Sequence, residues 1–163
     1  MAEIVPTEGL DYLVKLVVEG ATAPATLYLG LFTGGDGTTV PAATATRASM
    51  GGSFAEADGT TYPGYSAVSM TANTDWGTVG AQTVGSVSGR GSVGSQKSFA
   101  AATSAAAAAN ITGFFIATAS TGGTVLLYSN FSGGATDVID ALALGDIVRV
   151  TPTFALADVA GVA

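Results

Sequence analysis

Residues 26 to 32 constrain the chain more than any other segment. Leu27, Leu29 and Leu31 alternate with Tyr28, Gly30 and Phe32. Side chains two apart on a strand share a face, so the segment predicts a strand that is apolar on both faces. Ile111 to Ala119, Thr124 to Phe131 and Asp146 to Ala157 have the same strand character. Gly122-Gly123 between the first two predicts a hairpin, and Gly133-Gly134 predicts a turn before the third. Within that third segment Pro152 removes a ladder donor, which favours an edge or a bulge. Residues 64 to 71 and Lys97 to Ala101 predict shorter strands, with a turn through Asn73, Asp75 and Trp76-Gly77 between them. Residues 34 to 63 are rich in Gly and Pro and predict a long loop with a short hairpin. Two stretches stay open. Residues 78 to 94 fit irregular strand or surface loop, and the alanine run ending at Asn110 fits a helix or a close-packed sheet.

Near the start the period changes. Leu10, Leu13, Val14 and Val17 fall at i, i+3, i+4 and i+7, which predicts a helix over about residues 8 to 19. Thr7 stands at the N-cap position, Glu8 in the first turn, Asp11 and Lys15 form an i, i+4 pair, and Gly20 occupies the C′ position. The four apolar residues are expected to pack against a sheet containing Leu27, Leu29 or Leu31. The alternative is an amphipathic helix for a membrane or a partner. One lysine against three acids suits an anionic membrane poorly. One helix and six to eight strands predict an all-β chain, sandwich-like or jelly-roll-like with one N-terminal α-helix, as a single domain over residues 1 to 163. No fixed-length repeat points to a solenoid.

Composition then narrows the chemistry. The chain contains no histidine and no cysteine, which excludes Ser-His-Asp and Cys-His nucleophiles, thiolate or imidazole zinc ligands, and disulfides. Twelve acidic and five basic residues give a net charge of −7. The basic residues Lys15, Arg47, Arg90, Lys97 and Arg149 form no cluster, so no nucleic-acid partner is expected. No apolar stretch reaches a membrane-spanning length and no signal-peptide pattern opens the chain, so no membrane partner is expected either. Charged residues are 10% of the chain, against about 25% in an average soluble domain. Much of the surface must therefore be neutral.

The usual site motifs are missing. No G-x-x-x-x-G-K-[ST] occurs, Gly89-Arg90-Gly91 lacks a strand-loop-helix context, and neither lysine follows a serine by three residues. A carboxylate pair for glycoside hydrolysis would have to come from Asp36, Glu56, Asp58 and Asp75, all in predicted loops. Loop acids among Gly and Thr are more often turn formers. Their spacing does not match an EF-hand, so no metal and no cofactor is assigned. Tyr62, Tyr65, Trp76, Phe114 and Phe115 are read as core residues in preference to a sugar-stacking patch.

In their order, five motifs resemble the small virion structural proteins of tailed bacteriophages. These are PTEGLDYLVKLVV leading into LYLGLFTG, the DGTTYPGY loop at residues 58 to 65, a TDWG turn, an ITGFFI strand and a final GDIVRVTPTFAL. The resemblance covers most of the chain. It implies a β-sandwich module that decorates or cements a capsid exterior. The major capsid protein would be its partner, with copies of itself as neighbours in a dimer or trimer, and it would have no enzymatic activity. A tail or receptor-binding module is the alternative within the particle, and a carbohydrate-active enzyme using the loop carboxylates is the alternative outside it.

Overall fold

The computed structural model describes residues 3–84, 87–131 and 137–157. In chain order the elements are β1 (Glu3–Ile4), α1 (Thr7–Val18), β2 (Thr26–Thr33), β3 (Ala55–Glu56), β4 (Val68–Thr71), β5 (Gly80–Val84), β6 (Val87–Val93), β7 (Lys97–Ser98), β8 (Ile111–Ala117), β9 (Val125–Asn130), β10 (Arg149–Val150) and β11 (Thr153–Ala157). The fold is all-β with one N-terminal helix, as the sequence predicts. Six strands form an antiparallel sheet in the order β1-β9-β8-β2-β3, with β4 also on β2. A second sheet runs β11-β6-β5, and β10 pairs with β7.

The alternation in β2 has its predicted consequence. On one face of the main sheet, here called the front, Leu29 and Leu31 join Phe114, Ile116 and Leu127. On the back Phe32 joins Phe115, Ala117, Val125 and Tyr128. All residues of β8 and β9 are buried. The back face also carries an exchange between neighbouring strands. Gly30 faces Phe115 and Phe32 faces Gly113; a Cβ at Gly30 would stand 2.2 Å from the Phe115 ring, and one at Gly113 would stand 2.5 Å from the Phe32 ring and 2.3 Å from the Ser129 carbonyl oxygen. Each glycine thus leaves the room that the phenylalanine opposite it fills.

The front is covered by Tyr62, Phe99, Ala102, Ala106, Ala109, Leu142, Val148 and Val150. The alanine run is neither helix nor regular strand. Ala102, Ala106 and Ala109 point inward while their backbone N–H groups donate to the carbonyls of Asp146, Leu142 and Asp140. Residues 78 to 94 contain the β5-β6 hairpin, whose Gly91 lies against Ala155 too closely for any side chain. The predicted strand from Asp146 to Ala157 is split at Pro152, with β10 joining β7 and β11 joining β6. The predicted strand from Lys97 shortens to two residues. The hairpin across Gly122-Gly123 is present, both glycines having positive φ. The turn at Gly133-Gly134 lies outside the described residues.

Helix α1 forms nearly where predicted, but its orientation corrects the expectation. Leu10, Val14 and Val17 are 49%, 58% and 86% exposed. The inward side is Gly9, fully packed, flanked by the half-buried Tyr12, Leu13 and Leu16. Close approach decides this. A Cβ at Gly9 would stand 2.7 Å from the Val125 carbonyl oxygen, so the helix lies on β9 at the one position without a side chain. Thr7 does not cap the helix. The N-cap residue is Pro6, without a side-chain bond, and the Thr7 N–H donates to the Ala43 carbonyl at 2.8 Å. The Glu8 carboxylate instead accepts from the Val125 N–H at 2.8 Å, tying the first turn to β9. Gly20, at φ +66°, ends the helix as predicted.

Candidate interaction surface

The four candidate acids are separately engaged. Asp36 accepts the N–H groups of Thr38 and Thr39 at 2.9 and 3.2 Å, and the bonds from Thr38 hold its carboxyl down near 2. Asp58 repeats this with Thr60 and Thr61, and those bonds keep its carboxyl below the usual range. Both are turn formers, as their Gly and Thr neighbours suggest. Asp75 closes the TDWG turn. It accepts from the Thr71 N–H at 2.7 Å, and Lys97 at 2.8 Å holds its carboxyl low. An acid held ionised by its own turn has no proton to donate to a leaving group near neutral pH.

Glu56 differs. On the short strand β3 it receives a two-pronged contact from Arg47, Nε to Oε2 at 2.7 Å and NH2 to Oε1 at 2.5 Å, with the arginine side chain almost fully buried. The remaining guanidinium hydrogens reach the carbonyls of Ala119, Ser120 and Gly122 in the β8-β9 turn. The group also lies 5.0 Å from the centre of the Phe115 ring. The Tyr65 hydroxyl donates to Glu56 at 3.0 Å and accepts from the Leu31 N–H at 3.0 Å. Burial, and then the Glu56 carboxylate, push the Tyr65 phenol up, which keeps it a donor. Sequence reasoning did not connect these residues. The only local signal is a lone arginine in a stretch of small neutral residues. The network joins β2, residues 47 to 65 and the β8-β9 turn, and both Glu56 oxygens are engaged within it.

The aromatics divide. Tyr62, Phe114 and Phe115 are core residues, while Tyr65 and Trp76 are half-buried at its margin. A cleft of about 600 Å³ is bordered by Phe114, Phe131, Ile139, Val148, Asp146 and Arg149 among others, and none of the four loop acids lines it. Asp146 there accepts the Ala143 N–H at 2.7 Å. Among the described residues no three acids gather as metal ligands, and no helix is long and apolar enough to cross a membrane.

What the surface does offer is apolar. A groove of about 370 Å³ lies beside α1, bordered by Leu13, Leu16, Leu27, Trp76, Val79 and Phe154. Adjoining it, Leu10, Val14, Val17 and Val18 form an uncovered stripe along the helix, with Val18 76% exposed. At about 100° per residue, apolar positions occupy roughly two thirds of the circumference, leaving Glu8, Asp11, Lys15 and Glu19 on the rest. A helix this apolar is usually covered nearly all round. Its own sheet covers only the Gly9 side. No protein-family model matches the chain. No curated protein matches it in sequence either. The surface here is an apolar groove continuous with an uncovered apolar stripe of α1.

Proposed function

We propose that this protein is a virion structural protein of a tailed bacteriophage that decorates and cements the capsid exterior, binding the major capsid protein lattice without catalysing a reaction. The observation that carries the reading is the apolar groove and helix stripe left uncovered on a charge-poor β module. Contiguous apolar surface of this kind marks a protein interface. Ala23, Ala72, Gly77 and Ser92 around the groove cost little to desolvate and carry no long side chains to immobilise on docking, while the charges of α1 lie along the edge of the stripe. The partner in this reading comes from the resemblance of the motif order to phage virion proteins. The net charge of −7 means that the shell surface receiving it is basic or neutral, and that peripheral ion pairs weaken with salt.

The test is to strip the protein from particles and add it back. Shells lacking it should lose resistance to heat and osmotic shock and regain it on rebinding, with hundreds of copies per particle. Shells equally robust without it, or a few copies confined to the tail, would sink the cement reading in favour of a tail module. Turnover of peptidoglycan or polysaccharide that disappears on replacing Glu56 or Asp58 would replace both with an enzyme.

A further inference from the structure

We infer that the uncovered stripe of α1 pairs with the same stripe of a second copy, the two helices running antiparallel about a two-fold axis at Val14. The inference does not rest on the capsid reading, because it concerns the free protein in solution. Leu10, Val14 and Val17 are spaced four and three apart, the spacing of a two-helix seam. All three are exposed, Leu10 by about half and Val17 the most. The valines are small enough for two helix axes to approach to about 8 Å.

Charge selects the second copy and its direction. Asp11 and Lys15 flank Val14 on opposite sides along the helix and share one edge of the stripe. When two copies run antiparallel with Val14 at the centre, Leu10 meets Val18 of the second copy. Lys15 then comes within two residues, about 3 Å along the axis, of the other copy's Asp11. The symmetry makes this happen twice. A parallel pair would place the charged edges of the two helices on opposite sides of the seam, where neither Asp11 nor Lys15 meets its counterpart. The antiparallel interface is isologous, the commonest form of self-association.

The helix has 12 residues, a length of about 18 Å. That is short for the roughly 800 Å² per partner of a stable complex, so the dimer is weak and depends on concentration. It strengthens wherever copies are held side by side.

The purified chain, without any shell, provides the test. Sedimentation across a concentration series should show a monomer-dimer equilibrium. Val17→Asp should weaken it at least tenfold without changing the melting temperature, since the position is exposed. Asp11→Lys and Lys15→Asp should each weaken the dimer a few-fold, and the double exchange should restore it. The chain has no cysteine, so an introduced thiol is unique. Val14→Cys should cross-link to its own copy under mild oxidation. Leu10→Cys alone should not, but should cross-link when mixed with Val18→Cys. Cross-linking of Leu10→Cys to itself would make the pair parallel and overturn the geometry. Dimerisation unaffected by Val17→Asp would place the interface elsewhere. A chain monomeric at every concentration, whose Val17→Asp form alone fails to bind stripped shells or lipid vesicles, would assign the stripe to that partner.

Discussion

The two faces of the main sheet are built from the same strands yet are held by different means. The front is a large apolar cluster in which side chains from distant segments fill volume, with the aromatic group Tyr62, Tyr65 and Phe99 at one end. The back cluster is smaller. The loop over it contributes Ala45 and Met50 with the half-buried Val40 and Phe54, and Arg47 fastens that loop to β3 and to the β8-β9 turn. The comparison teaches where a chain with few charges places one of them. A loop too poor in apolar bulk to adhere by burial alone is held by one guanidinium that satisfies a carboxylate and three carbonyls at once.

The sharpest way to break the comparison is Arg47→Ala. It should cost about 3–5 kcal/mol in denaturant unfolding, because Glu56 keeps its partly buried charge with only the Tyr65 hydroxyl to answer it and three carbonyls lose their donor. A loss below about 1 kcal/mol would mean that the back is held by burial like the front. Arg47→Lys should restore little, since an ammonium cannot reproduce the fork. On the front, Ile116→Ala removes fully buried volume and should cost about 2–5 kcal/mol, with Glu56 and Tyr65 unaffected by NMR shift. Gly30→Ala should cost about 1–3 kcal/mol through overpacking against Phe115. Adding Phe115→Leu should recover part of that loss, which an independent pair of sites would not do.

The smallest expected effect is a pH dependence. The Asp36 carboxyl is lowered from its ordinary 3.8 to about 2 by its bonds to Thr38. A depressed carboxyl adds stability above its unfolded pKa and loses it as pH falls through the folded value. Its contribution is therefore complete above about pH 4 and disappears between about 4 and 2. The melting temperature of Asp36→Asn should change less with pH across that window than that of the parent. Equal slopes would show that the turn does not depend on the charge.

Much of this fold is legible in the sequence because its strongest strands carry their own pattern. The alternation in β2, the apolar run from Phe114 to Ala117 in β8 and the Gly122-Gly123 turn each name their structure locally. The face of α1 is not legible, since a helix apolar over most of its circumference offers several candidate faces, and the set Leu10, Leu13, Val14 and Val17 is not the one that packs. Gly9, which decides the matter, contributes no side chain to that pattern. The hairpin in residues 78 to 94 lies hidden among glycines and serines, which carry little periodic signal. The alanine run is equally quiet, since its path is set by carbonyl partners from residues 140 to 146. For the candidate surface, the turn roles of Asp36 and Asp58 were readable from their Gly and Thr neighbours. The Arg47 contacts were not, because they join residues with no fixed spacing.

The exchanged Gly30-Phe115 and Phe32-Gly113 pairs bear on how the sheet finds its alignment. β2 and β8 are far apart in sequence, so no connecting turn dictates which residue meets which. A slip by one residue would turn apolar faces to the wrong side. A slip by two keeps every face correct and is the error such strands are prone to. Here one direction of that slip would drive Phe32 into Phe115, and the other would set Gly30 against Gly113 and leave a void. Two bulky and two empty positions thus act as teeth and notches, admitting a single meshing of strands that meet only late along the chain.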